Sequence, residues 1–148
     1  MTNPIMALEG LWLAQAMKYS TWLYPTVETM HIWGIGMLFG SVVIMDLRVL
    51  GFGTKLSMSD LSRLGISVAF VGFGLAVLTG SLLFITQASE LIGSRLFILK
   101  MCLIFLLLAN AMILRMRTVT NGISKLQALL SLTGWASVIG MGRWLAYI

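Results

Sequence analysis

Hydrophobic residues fall into four long runs, at about 25–50, 66–86, 96–114 and 126–146, separated by short polar stretches. Each run approaches or exceeds the roughly 20 residues that a helix rising 1.5 Å per residue needs to cross a hydrocarbon layer about 30 Å thick. Ahead of them, residues 5–19 set Ile5, Leu8, Trp12, Gln15 and Tyr19 at helical spacing while Glu9 and Lys18 point elsewhere. That pattern predicts one short amphipathic helix in the membrane interface. Tyr24-Pro25 suits the first turn of a new helix, because proline fixes its own φ and restricts the residue before it. Gly51-Phe52-Gly53 should end that helix, and a polar loop carrying Lys55, Asp60 and Arg63 should lead to the second. Gln87 to Arg95 reads as a short turn, and Arg115, Arg117, Asn121, Gly122 and Lys125 as the loop before the fourth run. The expected fold is all-α: a single integral membrane domain over residues 1–148, a four-helix bundle preceded by an interfacial helix.

Composition supports lipid rather than water as the solvent. The chain is 59% hydrophobic and 10% charged, against roughly 25% charged in ordinary soluble domains, and a soluble core of 148 residues could not hide so much apolar surface. The net charge of +5 comes from ten basic residues scattered between apolar runs, with no dense stripe, so nucleic acid is not an expected partner. Their positions set a topology instead. Arg48, Lys55, Arg63, Arg115, Arg117 and Lys125 flank two loops on one side, and Lys18, Arg95, Lys100 and Arg143 lie toward the other. Cytoplasmic loops are enriched in Lys and Arg, so both termini should lie outside, N-out and C-out, in a bacterial inner (cytoplasmic) membrane. The lone Cys102 excludes an internal disulfide. No GxxxxGK[ST], HExxH, GxSxG or CxxC occurs, which removes nucleotide hydrolysis, zinc proteolysis, serine esterase chemistry and dithiol chemistry from consideration.

Ionisable residues at membrane depth cost roughly 2.5–3.5 kcal/mol on insertion scales and so need a partner or a purpose. Glu28 and His31 lie early in the first run, Lys100 early in the third and Arg143 near the end of the fourth. With the topology above they share one level near the outer face. Three residues apart on a helix, Glu28 and His31 are neighbours, and a carboxylate beside an imidazole fixes its tautomer and raises its basicity. This layer is the candidate cofactor-binding site: His31 as a metal ligand, Glu28 orienting it, Lys100 and Arg143 neutralising an anionic group. The competing reading is a structural or lipid-contacting charge network in which Lys100 and Arg143 snorkel to the headgroups. Eleven methionines would suit Cu(I), but no MxM or MxxM array organises them.

Other polar and small residues read as packing. Gly36 and Gly40 form a GxxxG step, and Ser67, Gly74 and Ser81 repeat every seven residues, so neighbouring helices could approach closely there. Asp46 and Arg48 read as an interfacial ion pair and topology anchor. Lys100, Leu103, Leu107 and Asn110 line one stripe, which turns Asn110 toward the bundle with Thr79-Gly80-Ser81 as its expected partner.

The run Tyr24-Pro-Thr-Val-Glu-Thr-Met-His-Ile-Trp-Gly34, with Gly40, Asp46-Leu-Arg-Val-Leu-Gly51, Thr79-Gly80 and Lys100, resembles an uncharacterised family of small bacterial four-helix integral membrane proteins. That family is distantly similar to membrane bundles of the cytochrome b and copper-resistance D type. The resemblance implies the fold and the membrane location. Those cytochromes use several histidines, whereas this chain has one, so a bis-histidine haem within one chain is not expected. Three functions follow. The first is an accessory or scaffolding subunit, more a structural part than an enzyme, packing laterally in a homo-oligomer or with other membrane subunits. The second is an electron-transfer module holding haem b, or another anionic cofactor or a quinone, through His31. The third is proton-coupled transport using Glu28, His31, Asp46 and Asn110.

Overall fold

The computed structural model describes residues 4–116, 122–145 and 147; Arg117, Asn121 and Ala146, used above for a loop and a helix end, lie outside them. Among the described residues every regular element is helical. The elements are α1 (Pro4–Glu9), α2 (Trp12–Tyr19), α3 (Leu23–Leu50), α4 (Met58–Thr86), α5 (Ala88–Gly93), α6 (Arg95–Met116) and α7 (Gly122–Leu145). Three of these, α3, α4 and α6, are long and apolar enough to cross a membrane, which makes the protein a multi-pass membrane protein. The fourth expected span forms as α7, 24 residues long, but its serines, threonine, glutamine and glycines keep it outside that group.

The boundaries follow local chemistry. The expected interfacial helix is split in two, because Gly10 and Leu11 interrupt it between α1 and α2. Ser20 Oγ accepts from Leu23 N at 3.2 Å at the start of α3, and Pro25 falls in the first turn, where a missing N–H costs nothing. At the other end Gly51 has φ of 106°, Phe52 N donates to Leu47 O at 3.0 Å and Gly51 N to Arg48 O at 3.2 Å. This is a Schellman closure, for which a residue without Cβ is favoured.

Helix α4 begins eight residues before the expected start at 66, so Asp60 and Arg63 are helical. The reason is a cap: Ser57 Oγ accepts from Asp60 N at 3.4 Å. The expected turn at 87–95 contains the short helix α5, whose Ala88 is buried.

The chain divides into two compact units. The first comprises residues 1–38 and 70–94, the second residues 39–69 and 95–148. In the first, α3 and α4 meet backbone to backbone at Gly34 and Gly72, and α1 contacts α5. In the second, α6 packs on α7. Ser124, Ala128, Ser131, Trp135 and Val138 form the buried face of α7, spaced alternately four and three residues, and Leu107 of α6 lies against Gly134. On α7 Ser124 and Ser131 turn inward while Leu126, Leu129 and Leu130 are exposed, and the exposed Thr133 and Ser137 return their hydroxyls to Leu129 O and Thr133 O.

Candidate functional site

In the first unit His31 is half-buried, and its Nδ1 lies 3.0 Å from Thr79 Oγ1. The Thr79 hydroxyl sits 2.6 Å from Leu75 O and 3.4 Å from Ala76 O, so its proton is committed to its own helix. Thr79 must then accept, which makes His31 Nδ1–H the donor. Gly80 flanks the ring: a Cβ there would lie 2.9 Å from His31 Cε1. The imidazole is therefore pinned edge-on against the backbone of α4. Glu28, one turn earlier, is exposed, and its charge acts on Tyr24. Thr79, 48 residues away, is a neighbour of His31 that helical spacing does not reveal.

At the α1–α5 contact, Glu9 Oε1 accepts from Ser89 N at 2.7 Å and from Ser89 Oγ at 2.6 Å. The two bonds, the hydroxyl's first, hold the Glu9 carboxyl below its ordinary value of 4.5. A cavity of about 320 Å³ lies among Met17, Lys18, Ser20, Tyr24, Thr86 and Gln87. His31 does not line it, nor does it line a second, apolar cavity of about 360 Å³ bounded by Leu96, Gly140, Met141 and Trp144.

In the second unit Asp46 is 5% exposed. It does not pair with Arg48, whose Nε reaches Leu56 O at 3.2 Å and whose Nη2 reaches Thr54 O at 3.5 Å, tying the loop back to α3. Ser131 of α7 hydrogen-bonds the Asp46 carboxyl, and the charge of Arg115 on α6 acts on it. Arg115 Nη2 contacts Met45 Sδ at 2.8 Å. The second carboxyl oxygen, Asp46 Oδ2, is buried without a hydrogen-bond partner, as are Gln127 Oε1 and Trp135 Nε1. Asn110 Nδ2 donates to Gln127 O at 3.2 Å, so its partner is this α7 carbonyl rather than the Thr79-Gly80-Ser81 stretch.

Lys100 is half-buried, with Nζ 3.1 Å from where a Gly142 Cβ would stand. Arg143 Nη2 donates to Tyr147 Oη at 2.6 Å, and its guanidinium lies 5.0 Å from the Tyr147 ring centre. Of the four residues expected to share a layer, Glu28 and His31 belong to the first unit, Lys100 and Arg143 to the second. No group of three or more His, Cys, Asp or Glu stands close enough to hold a metal ion among the described residues.

Helix spacing pointed to His31 and Asp46. It did not point to Ser131, Gln127, Trp135, Arg115 or the Glu9–Ser89 pair, each of which depends on which helix faces which. The fold and these groups define a multi-pass helical membrane protein with polar side chains buried between helices. Comparison with protein-family models, with curated proteins and with solved structures found no match.

Proposed function

We propose that this chain is a small accessory subunit of a bacterial inner membrane, with four spans and both termini outside, that packs laterally against copies of itself or other membrane subunits. The observation that carries the reading is the state of its glycines. Gly34 and Gly72 are consumed by contact within the chain, whereas a Cβ on Gly36, Gly40 or Gly74 meets nothing within 4 Å. Gly36 and Gly40 are one turn apart on α3, with Ile32 and Ile44 exposed one turn before and after them. Small residues framed by large apolar ones let a second helix approach closely, and this is a main source of helix association where no hydrophobic force distinguishes protein from lipid. On α4, Ser67 and Ser81 are exposed like Gly74 and return their hydroxyls to Arg63 O and Val77 O, leaving no unsatisfied polar group on that side.

Two observations support the four-span topology. On α7 Ser124 and Ser131 are each 1% exposed, and the exposed Thr133 and Ser137 satisfy their hydroxyls on their own helix, so α7 can present leucines to lipid despite its modest hydropathy. Charge is also unevenly divided. The first unit holds Glu9, Glu28 and Glu90 against Lys18, while the second holds the other nine basic residues against Asp46 and Asp60. Six of those nine, Arg48, Lys55, Arg63, Arg115, Arg117 and Lys125, flank the two loops that this topology puts in the cytoplasm, and Arg95, Lys100 and Arg143 lie toward the other side.

The test is native mass spectrometry of the full chain released from nanodiscs, with and without Gly36→Ile and Gly40→Ile. The proposal expects an oligomer or a co-purifying membrane subunit that the double substitution removes while the monomer stays folded. A wild-type chain that is strictly monomeric and brings no partner would end this reading.

A further inference from the structure

The buried polar groups of the second unit carry an inference that does not depend on lateral packing. Apolar surroundings make a buried donor or acceptor without a partner expensive, and a charged one more so. Three such atoms belong to residues whose positions are linked. Gln127, Ser131 and Trp135 are successive turns of one face of α7, four residues apart. Ser131, the middle one, bonds the Asp46 carboxyl of α3. Asp46 Oδ2 and Gln127 Oε1 are acceptors lacking a donor, and Trp135 Nε1 is a donor lacking an acceptor.

A well-packed structural carboxylate would close such a set on itself, by a direct ion pair above all. Here the neighbouring cation does not do so. Arg115 acts on Asp46 through space, while its Nη2 touches Met45 Sδ. Arg48, two residues along α3, is occupied with the Leu56 and Thr54 carbonyls. Lys125 at the start of α7 is exposed, the α7 face toward Asp46 carries no ionisable residue, and on α4, whose Gly65 packs on Met45, Asp60 and Arg63 are exposed. The set therefore wants a small species that both donates and accepts hydrogen bonds, and the formal charge of Asp46 wants either a permanent counterion or a proton.

We propose that Asp46 is a proton-exchanging carboxyl within the membrane domain, joined to the aqueous phase by internal water that supplies the hydrogen bonds missing at Asp46 Oδ2, Gln127 Oε1 and Trp135 Nε1. Water fits both kinds of vacant valence: at Asp46 Oδ2 and at Gln127 Oε1 it gives a hydrogen, and at the indole it takes one. In the exchange, hydronium on this water passes one proton to Asp46 Oδ2 and remains as water. The reverse step returns it, and nothing is oxidised or reduced. Ser131 is a positioning residue: its hydroxyl fixes the carboxyl so that Oδ2 is the oxygen left for exchange.

Infrared difference spectroscopy of the full chain in nanodiscs, stepped in pH in H2O and in D2O, tests the proposal. The protein contains only two aspartates, Asp46 and the exposed Asp60, so labelling with aspartate 13C at its side-chain carboxyl confines the relevant signal to them. The expected result is an isotope-shifted carboxylic C=O band that grows as pH falls, moves on H/D exchange, and disappears in Asp46→Asn. In Ser131→Ala the band remains but changes frequency, which keeps the assignment secure should Asp46→Asn fail to fold. A buried aspartate that stays ionised throughout, a band indifferent to D2O, or a titration belonging wholly to Asp60 would overturn it.

Discussion

Gly34 of α3 and Gly72 of α4 are in mutual backbone contact. A Cβ on Gly34 would stand 2.7 Å from Ala76 N and 2.9 Å from Gly72 O, and one on Gly72 would stand 2.6 Å from Leu38 N and 2.7 Å from Gly34 O. The obstacles are backbone atoms, which cannot swing aside. Gly34→Ala or Gly72→Ala is therefore expected to separate the two helices and to destabilise the fold at or above the roughly 1–3 kcal/mol typical of overpacking. Gly36→Ala, which meets open space, should leave it within about 0.5 kcal/mol of wild type. Reversible unfolding in mixed micelles would measure the contrast, and equal losses at both sites would contradict it.

The His31–Thr79 bond is next. Thr79→Val keeps the shape and removes this acceptor from the Nδ1–H donor, for an expected loss of about 1–2 kcal/mol. Because His31 is the only histidine, 15N NMR of the labelled chain reads it without assignment. Wild type should show Nδ1 protonated and hydrogen-bonded, and Thr79→Val should shift that nitrogen. Gly80→Ala should also perturb the ring, since the added methyl would press on Cε1.

Glu9 gives a pH dependence outside the membrane segments. Its folded-state value is lowered by Ser89, so the docked state binds fewer protons than the undocked one. The contribution of the contact is then complete above about 4.5 and is lost as pH falls through the lowered folded value. Protection from hydrogen exchange at α1 and α5, taken relative to the intrinsic rate at each pH, should fall on that acidification. Glu9→Gln should show the lower protection already at pH 7 and little further change.

Asn110 fastens α6 to α7 through the Gln127 carbonyl. Interhelical hydrogen bonds in membranes average about 0.6 kcal/mol, up to about 1.7. Asn110→Leu should lose that much, in the same micelle assay, without altering helix content by circular dichroism. A loss of several kcal/mol would mean that Asn110 serves more than this bond.

Hydropathy by itself determined the helices and their solvent. The runs at 25–50, 66–86 and 96–114 became α3, α4 and α6 because a helix is one of only two ways to satisfy every backbone group in lipid, and Gly51 ended α3 because its φ is positive. Local polar chemistry moved the remaining boundaries. The Ser57 cap extended α4 back into the expected loop, and Glu9 anchored a helix where the sequence read a turn. Which residues meet was decided only in three dimensions. In water an amphipathic pattern tells each helix which face to bury, but α3, α4 and α6 are apolar nearly all round, and lipid solvates a leucine as well as a protein core does. Their rotation is set by close contacts such as Gly34 with Gly72. That rotation in turn placed His31 on Thr79, as the contacts of α3 and α7 placed Asp46 on Ser131.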